Sequence, residues 1–205
     1  MNLPSKLIED AVEQFATLPG IGRRTALRLV LSLLKNTNEE VETFGKTLIN
    51  LRNKIGYCRM CHNISDTEFC SICSNINRDK KMICVVESIT DVIAIENTGQ
   101  YNGLYHVLYG VISPMDGIGP TDINAGSLVT RVGTDEIIEV IMALPSTMEG
   151  DTTIFYLFNK LKEFNVKISI IARGVAVGDD LEFIDEVTLG RSLVNRTLYD
   201  NEAVK

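Results

Sequence analysis

Residues 58–73 read CRMCHNISDTEFCSIC and separate two parts of the chain that have different patterns of apolar side chains. The stretch holds two Cys-x-x-Cys pairs with eight residues between them, a spacing that lets four sulfur atoms bind one tetrahedral metal ion. Residues 56–77 as a whole have too few apolar side chains to fold by burial alone. The sequence therefore predicts a small ribbon that is organised by zinc.

The zinc ion is expected to be structural, because four thiolates fill its coordination sphere and leave no position for a water molecule. Two disulfides or four free thiols are the alternatives. His62 follows the second cysteine directly and is interpreted as a neighbouring surface residue, although it could compete as a ligand. The fifth cysteine, Cys84, lies in an apolar run and is predicted to be a small buried side chain. The expected zinc ligands are Cys58, Cys61, Cys70 and Cys73.

Residues 1–55, which precede the ribbon, predict an all-helical unit. Apolar residues recur at helical spacing in three segments: one whose first turn holds Pro4, one from about Arg23 to Lys35, and one with Asn38 as its N-cap. The stretch LPGIG at 18–22 separates the first two segments, and its two glycines allow a tight turn with exposed backbone amides. This is the pattern of a helix-hairpin-helix, although a plain turn between two helices would use similar residues.

The hairpin and the helix that follows it are predicted to bind the DNA backbone. Residues 18–36 contain four basic side chains and no acidic one. Free amides and the positive end of a helix dipole can hold a phosphate without reading a base, so binding would be sensitive to salt and indifferent to sequence. The candidate DNA-binding residues are Gly20, Gly22, Arg23, Arg24 and Arg28.

The net charge of −7 would by itself argue against a nucleic-acid partner. Its distribution changes that conclusion, because residues 1–81 carry 12 basic and 9 acidic side chains, whereas residues 82–205 carry 8 basic and 18 acidic ones. No apolar run approaches the roughly 20 residues needed to span a bilayer, and no signal peptide is expected. With four of its five cysteines spaced for metal, the sequence predicts a cytoplasmic protein.

From Met82 onward, short apolar runs alternate with helical patterns. Such alternation is typical of a mainly parallel sheet that is covered by helices on both faces. The fold class is therefore α/β, with a helical unit and a zinc ribbon ahead of the sheet domain. The predicted strands are 82–86, 107–112, 136–144 and 167–172, and the predicted helices between them are 88–97, 123–131 and 152–164.

Two acids, Glu87 and Glu149, are candidates for a Mg²⁺ site or a partner-binding site. Each follows a predicted strand, and the carboxyl ends of parallel strands are where ligands collect. Each also precedes a predicted helix and could instead cap it. Because two carboxylates are few ligands for Mg²⁺, catalysis is the less favoured interpretation.

Residues required by several classes of enzyme are absent. The run from Arg173 to Gly178 has glycines but lacks the lysine of a nucleotide-binding P-loop. His62 and His106 are the only histidines, so histidine-based nucleophilic catalysis has almost no candidates. These absences favour binding over turnover.

Taken in order, the helix-hairpin-helix, the four-cysteine ribbon and the acidic α/β half resemble the RecR family of recombination mediators over essentially the full length. The resemblance implies a cytoplasmic protein with four parts: a DNA-binding domain at 1–55, a zinc finger at 56–77, a Toprim domain at 78–175 and a segment at 176–205 that joins subunits into a homodimer or homotetramer ring. The stretches that carry the resemblance are LPGIGRRTA at 18–26, YCRMC at 57–61, YHVL at 105–108, SPMDGIGP at 113–120, TMEG at 147–150 and ARG at 172–174.

The resemblance also implies partners and a role. RecO-type and RecF-type mediator proteins would act with this chain to load a RecA-type recombinase on gapped or single-stranded DNA. In catalytic Toprim domains, a glutamate after the first strand works with an Asp-x-Asp pair that binds Mg²⁺. Here Glu87 matches the glutamate, but the pair reads Thr147 and Glu149. One metal ligand is therefore lacking, which favours a non-enzymatic scaffold or clamp.

Two other functions stay open at this point. A Mg²⁺-dependent nuclease, primase or topoisomerase would use Glu87 and Glu149. A zinc-dependent protein adaptor would bind no nucleic acid by itself.

Overall fold

The computed structural model describes residue 3 and residues 5–196. Pro4, expected in the first helical turn, and residues 197–205 of the expected subunit-joining segment lie outside the described residues. The chain divides into two compact units, Met1–Ile55 and Gly56–Lys205. In the described part of the chain, no helix has both the length and the apolar character needed to cross a bilayer.

The first unit is entirely helical, as predicted, with helices α1 (Lys6–Ala16), α2 (Arg23–Leu33) and α3 (Asn38–Lys54). Its small core lies between the first two helices, where apolar residues at helical spacing face each other. Burying an aliphatic side chain of this size contributes about 1.5–3 kcal/mol. The α1–α2 hairpin is thus held by a few contacts, centred on the buried residues Val12, Ala26 and Val30.

Helix α3 begins with a capping box, and its cap is Thr37, whereas the sequence pattern predicts Asn38. The Thr37 hydroxyl accepts a hydrogen bond from the Glu40 backbone amide at 3.3 Å, and the Glu40 carboxylate accepts one from the Thr37 amide at 2.8 Å. This Thr-x-x-Glu pattern satisfies two amides at once, which a lone asparagine cap would not do. Asn38 becomes the first residue of the helix.

The second unit starts with the zinc ribbon. Strand β1 (Gly56–Tyr57) pairs antiparallel with β2 (Ile64–Ser65), and a single helical turn, α4 (Ser71–Ser74), follows. The two Cys-x-x-Cys pairs therefore lie on a tight hairpin and on a helical turn, both of which present backbone amides toward sulfur.

The rest of the second unit is built on a four-stranded parallel sheet, which confirms the predicted α/β class. The strands are β3 (Asp79–Val86), β4 (Gly103–Val107), β5 (Glu139–Ala143) and β6 (Lys167–Ile170), in the order β4-β3-β5-β6. The helices are α5 (Ile89–Asn97), α6 (Ala125–Thr134), α7 (Met148–Leu161) and α8 (Glu186–Val194).

The central strand β3 is buried on both faces, so its residues read as a continuous apolar run. Ile83 and Val85 belong to one apolar cluster with Leu128 of α6 and Leu157 of α7. The alternate residues of the strand face a second cluster, which contains Cys84, Val86, Val92 of α5 and Tyr105 of β4. The prediction that Cys84 is a buried small side chain is confirmed, and burial raises the pKa of its thiol to about 12.

Several element bounds differ from prediction, and the second strand shows the reason. The apolar pattern predicts it at 107–112, but β4 ends at Val107, because Tyr109 and Gly110 have φ angles of 61° and 147° that a strand does not accommodate. The loop after β4 still buries Leu108 and Ile112, so its sequence resembles that of a strand. Helix α7 begins four residues earlier than predicted, because Thr147 caps it.

Candidate zinc and DNA-binding sites

The four predicted zinc ligands converge in the second unit. Their sulfur atoms all lie within 4.8 Å of one another, and all four residues are buried. A tetrahedral zinc ion with Zn–S bonds of about 2.3 Å holds its sulfurs about 3.8 Å apart. The Cys61 and Cys70 sulfurs are 3.5 Å apart, which is close to that spacing and much too long for a disulfide bond. The donor set and its geometry fit zinc.

The thiols of this cluster strongly shift one another's pKa values. The Cys70 sulfur accepts hydrogen bonds from the Cys61 and Cys73 thiols, which lowers its pKa well below the usual range. The hydrogen bond with Cys70 raises the pKa of Cys61, hydrogen bonds with Cys61 and Cys70 raise that of Cys73, and burial adds to both shifts. Four such sulfurs can all be ionised only beside a cation that offsets their charge. Zinc would stabilise the ribbon by binding these four thiolates.

His62 lies apart from the cluster, although it follows a ligand. Its backbone has a φ of 61°, its ring nitrogen Nε2 lies 2.9 Å from the Ser127 hydroxyl, and its ring packs edge-on against His106 at 5.2 Å. Burial lowers the pKa values of both histidines, and His106 reaches about 3. The side chain is thus partly buried against α6 and partly exposed, and it is not among the four side chains that converge.

A backbone hydrogen bond joins the ribbon to the sheet. The Val107 amide at the end of β4 donates to the carbonyl of the zinc ligand Cys61 at 2.9 Å. Because β4 is the outermost strand on its side of the sheet, this amide faces away from β3. The metal site and the sheet edge are therefore directly connected.

The predicted hairpin is formed between α1 and α2. Gly20 has a φ of 77°, in the left-handed region that favours glycine, and the Ile21 amide closes the turn on the Leu18 carbonyl at 3.1 Å. Gly22 is the N-cap of α2 and offers no side chain to the first amides of the helix. Within the described residues these amides have no capping acceptor, and the first turn holds no acid. An exposed helix start of this kind is suited to an anion.

The three candidate arginines are exposed on α2, but their surroundings differ. The Arg23 guanidinium lies 3.6 Å from the Glu9 carboxylate and 3.9 Å from that of Glu13. Arg24 and Arg28 instead line a shallow groove together with Lys35. The sequence does not predict this partial neutralisation of Arg23, because the two acids lie on the other helix of the hairpin.

The two candidate acids of the sheet domain follow neighbouring strands, but neither caps a helix. Glu87 follows β3, and its pKa is raised by burial and by the charge of Asp91. Ser88 and Asp91 form the capping box of α5. Glu149 lies in the first turn of α7, whose cap is the Thr147 hydroxyl, an acceptor for the Gly150 amide at 3.1 Å.

The described residues hold one group of three or more metal-binding side chains with converging ligand atoms, and it is the four-cysteine cluster. A Mg²⁺ site at Glu87 and Glu149 is therefore not assembled as a group of side chains and stays a prediction. The same edge holds an ion pair that the sequence does not predict, between Arg173, which follows β6, and Asp151 in the first turn of α7.

Four family models match successive parts of the chain. A RecR helix-hairpin-helix model matches residues 8–52, and a model of the RecR zinc finger domain with four cysteines matches residues 55–75. A Toprim domain model matches residues 81–172, and a RecR C-terminal model matches residues 174–197. The order of these parts is the order that the sequence predicted.

Relatives match the chain over almost its whole length. A protein of Phocaeicola vulgatus named "Recombination protein RecR" is 62% identical and covers 98% of both chains. Proteins with the same name from Porphyromonas gingivalis and Flavobacterium johnsoniae are 60% and 54% identical, over 97% and 98% of this chain and 96% and 97% of their own. This chain belongs to the RecR family.

Proposed function

We propose that this protein is a non-enzymatic DNA-binding scaffold in recombinational repair, and that it binds the DNA backbone through the start of α2. The observation that carries the proposal is the glycine-capped helix start beside two exposed arginines without acidic partners among the described residues. The relatives' name, a recombination protein, supports the role in recombination.

The binding mode follows from the donors that this surface offers. The amides after Gly22 can bind one phosphate, and the positive end of the helix dipole favours its charge. Arg24 and Arg28 are four residues apart and thus adjacent on one face of α2, where each can bind a further phosphate oxygen. None of these groups reads a base edge, so affinity would depend on salt and little on sequence.

We also propose that zinc is structural and that the sheet domain does not catalyse a reaction. Four cysteines would fill the coordination sphere of the zinc ion. In the sheet domain, Thr147 stands where a catalytic metal site would need a second acid, and its hydroxyl is engaged as the cap of α7. Glu87 and Glu149 are then candidates for binding a partner or a weakly held Mg²⁺.

The partners belong to this proposal as well. RecO-type and RecF-type proteins would act with this chain to load a RecA-type recombinase on gapped or single-stranded DNA, and the acidic half would suit a partner with a basic face.

Assembly into a homodimer or homotetramer ring is supported by exposed apolar side chains in the segment from residue 176. A cytoplasmic location stays a prediction from the cysteine usage. The exposed apolar residues of the segment from residue 176 are Val177, Leu181, Phe183, Val187, Leu193 and Val194.

The direct test is to reverse the charge of Arg24 and Arg28 together and to measure affinity for an oligonucleotide over a range of salt concentrations. We expect Arg24→Glu with Arg28→Glu to weaken binding at least tenfold at low salt and to make the plot of log affinity against log salt shallower by about 1–2. Lys160→Glu with Lys162→Glu, an equal change of charge at exposed positions of the last turn and the C-cap of α7, is the matched control. Unchanged affinity of the α2 variant at low and high salt would reject the proposal.

A further inference from the structure

Two adjoining surface cavities lie at the carboxyl edge of the parallel sheet, and the Arg191 side chain of α8 lines both of them. The first cavity is also lined by Arg173 and Asn195. The second is bounded by the start of α7, with Ser146 and Thr147 in its wall. Ligands of open parallel sheets bind at this edge, so the charges and donors around these cavities indicate which class of ligand they could hold.

The charged side chains around the two cavities carry an excess of positive charge. The Arg173 Nη1 atom lies 2.7 Å from Asp151 Oδ1, and the Arg191 Nη2 atom lies 3.9 Å from Asp151 Oδ2. Two guanidinium groups thus share one carboxylate, which leaves a formal charge of about +1. The other acid of this turn, Glu149, lines neither cavity. A cation is disfavoured here and an anion is favoured.

Hydrogen-bond donors point to the same class of ligand. The buried Nε and Nη2 atoms of Arg173 have no acceptor among the described residues, although buried polar groups are generally paired. The Ser146 hydroxyl lies 3.4 Å from Arg191 Nη1 as its acceptor, so its own proton is available to donate. At the start of α7, the amides of residues 148 and 149 precede the first intrahelical hydrogen bonds and add the positive end of the dipole.

We propose that Arg173, Arg191 and the start of α7 form a phosphate-binding site in the sheet domain, with Asp151 orienting both arginines. Guanidinium groups bind phosphate through pairs of parallel hydrogen bonds, and a phosphate has enough acceptor oxygens for two arginines and a hydroxyl. The phosphate can be a free ion or the terminal phosphate of a nucleic acid, because both present several free oxygens. This site lies in a different unit from α2 and goes beyond the DNA-binding surface proposed there.

The test is thermal unfolding of the full zinc-loaded protein in sodium phosphate and in sodium chloride of equal ionic strength and pH. We expect phosphate to raise the Tm by several degrees more than chloride, and Arg191→Gln to reduce that difference. Phosphate also stabilises proteins in general, so Lys162→Gln, which removes one exposed positive charge from the same domain, is the control and keeps the difference. An equal phosphate effect in Arg191→Gln and Lys162→Gln would overturn the proposal.

A second measurement does not depend on the unfolding transition. The ³¹P line width of inorganic phosphate is expected to broaden with the native protein and with Lys162→Gln, and to stay narrow with Arg191→Gln. The variant with Arg24→Glu and Arg28→Glu should still broaden the line, which separates this site from the proposed role of α2. Equal broadening by Arg191→Gln and Lys162→Gln would contradict the assignment.

The source of the phosphate is distinguished with one oligonucleotide made with and without a 5′-terminal phosphate. If the site takes a terminal phosphate of DNA, the phosphorylated strand binds more tightly, and Arg191→Gln removes the difference. If it takes a free ion, both strands bind alike while inorganic phosphate still raises the Tm. Both results support the site, and the absence of any phosphate effect on the native protein overturns it.

Discussion

At the scale of single residues, the Glu96 carboxylate at the end of α5 illustrates how a partly buried charge is satisfied. It accepts a hydrogen bond from Arg78 Nη1 at 2.9 Å, a second from Arg78 Nη2, and one from the Tyr105 hydroxyl at 2.7 Å. Arg78 also donates to the Gly103 carbonyl at 3.4 Å. The pair therefore links β3, α5 and β4 where the strands begin, and these hydrogen bonds lower the pKa of Glu96.

The lowered pKa predicts how stability responds to acid. A carboxyl group whose folded-state pKa lies below its unfolded value of 4.5 contributes stability above that value, and the contribution is lost as the pH falls through the folded-state pKa. We expect Glu96→Gln to lower the free energy of unfolding by about 1–3 kcal/mol at pH 7. We also expect this variant to lose less stability than the native protein between pH 7 and pH 3.

Urea unfolding at both pH values measures this effect. Glu68→Gln is the control, because Glu68 pairs with Arg59 through side chains that are more than half exposed. If Glu96→Gln and Glu68→Gln respond to acid in the same way, the buried pair does not account for the pH dependence.

The DNA-binding candidates show that a sequence does not reveal which arginines have acidic partners. The turn at Gly20 was predictable from the sequence, because its φ of 77° lies in the region that favours glycine, whereas Gly22 has an ordinary φ of −78° and serves as the N-cap of α2. The three arginines look equivalent in the sequence, yet Arg23 pairs with two acids of α1 while Arg24 and Arg28 do not. The difference depends on how two helices pack, and that packing is a long-range property.

At the scale of elements, the zinc ribbon gives a prediction that separates ligands from other cysteines. Cys73 belongs to the convergent cluster, whereas Cys84 lies in β3 and packs in the sheet core. We expect Cys73→Ala to lose the zinc and Cys84→Ala to retain one zinc ion per chain, because a three-thiolate site binds the ion less tightly and opens a position to water. Zinc content measured after gel filtration in a weak chelator is the readout.

Two outcomes of the zinc experiment would contradict this expectation. Retention of zinc by Cys73→Ala would exclude the four-thiolate site. Loss of zinc by Cys84→Ala would mean that the metal depends on the sheet core and not on the ribbon alone.

The elements themselves were predictable to different degrees. The strands β3, β5 and β6 overlap their predicted ranges. The central strands β3 and β5 appear as apolar runs, because strands covered on both faces carry few polar residues. The edge strand β6 is only partly buried and includes Lys167 and Ser169. The prediction for β4 was displaced toward its carboxyl end, since the loop after it buries apolar residues and resembles a strand locally. Only the left-handed backbone at Tyr109 and Gly110 separates the strand from the loop.

At the scale of the whole molecule, the chain combines a basic surface on α2 with an acidic sheet domain. Glu87 and Glu149 are the remaining candidates for metal-dependent chemistry in that domain. We expect no cleavage, strand passage or primer synthesis on DNA with Mg²⁺ or Mn²⁺, and we expect Glu87→Gln to bind DNA as the native protein does, because the proposed DNA contacts lie on α2. An activity that needs Mg²⁺ and disappears in Glu87→Gln would establish an enzyme instead.

The overall architecture was predictable because each part has its own local pattern: helical periodicity, paired cysteines, or alternation of strands and helices. The cluster of Asp151, Arg173 and Arg191 was not predictable, because its members come from three parts of the chain that are far apart in sequence. Only the folded sheet brings the start of α7, the end of β6 and helix α8 to one edge. No short-range pattern in the sequence records that proximity.

The hydrogen bond from Val107 to the Cys61 carbonyl has a consequence for cells that are short of metal. An outermost strand with unpaired amides is a template on which other chains can add strands, and natural proteins shield such strands. Here the shield near the end of β4 is the four-cysteine ribbon, whose fold we propose to depend on zinc. Loss of zinc would thus expose the edge strand β4, so aggregation would be an early consequence of zinc starvation.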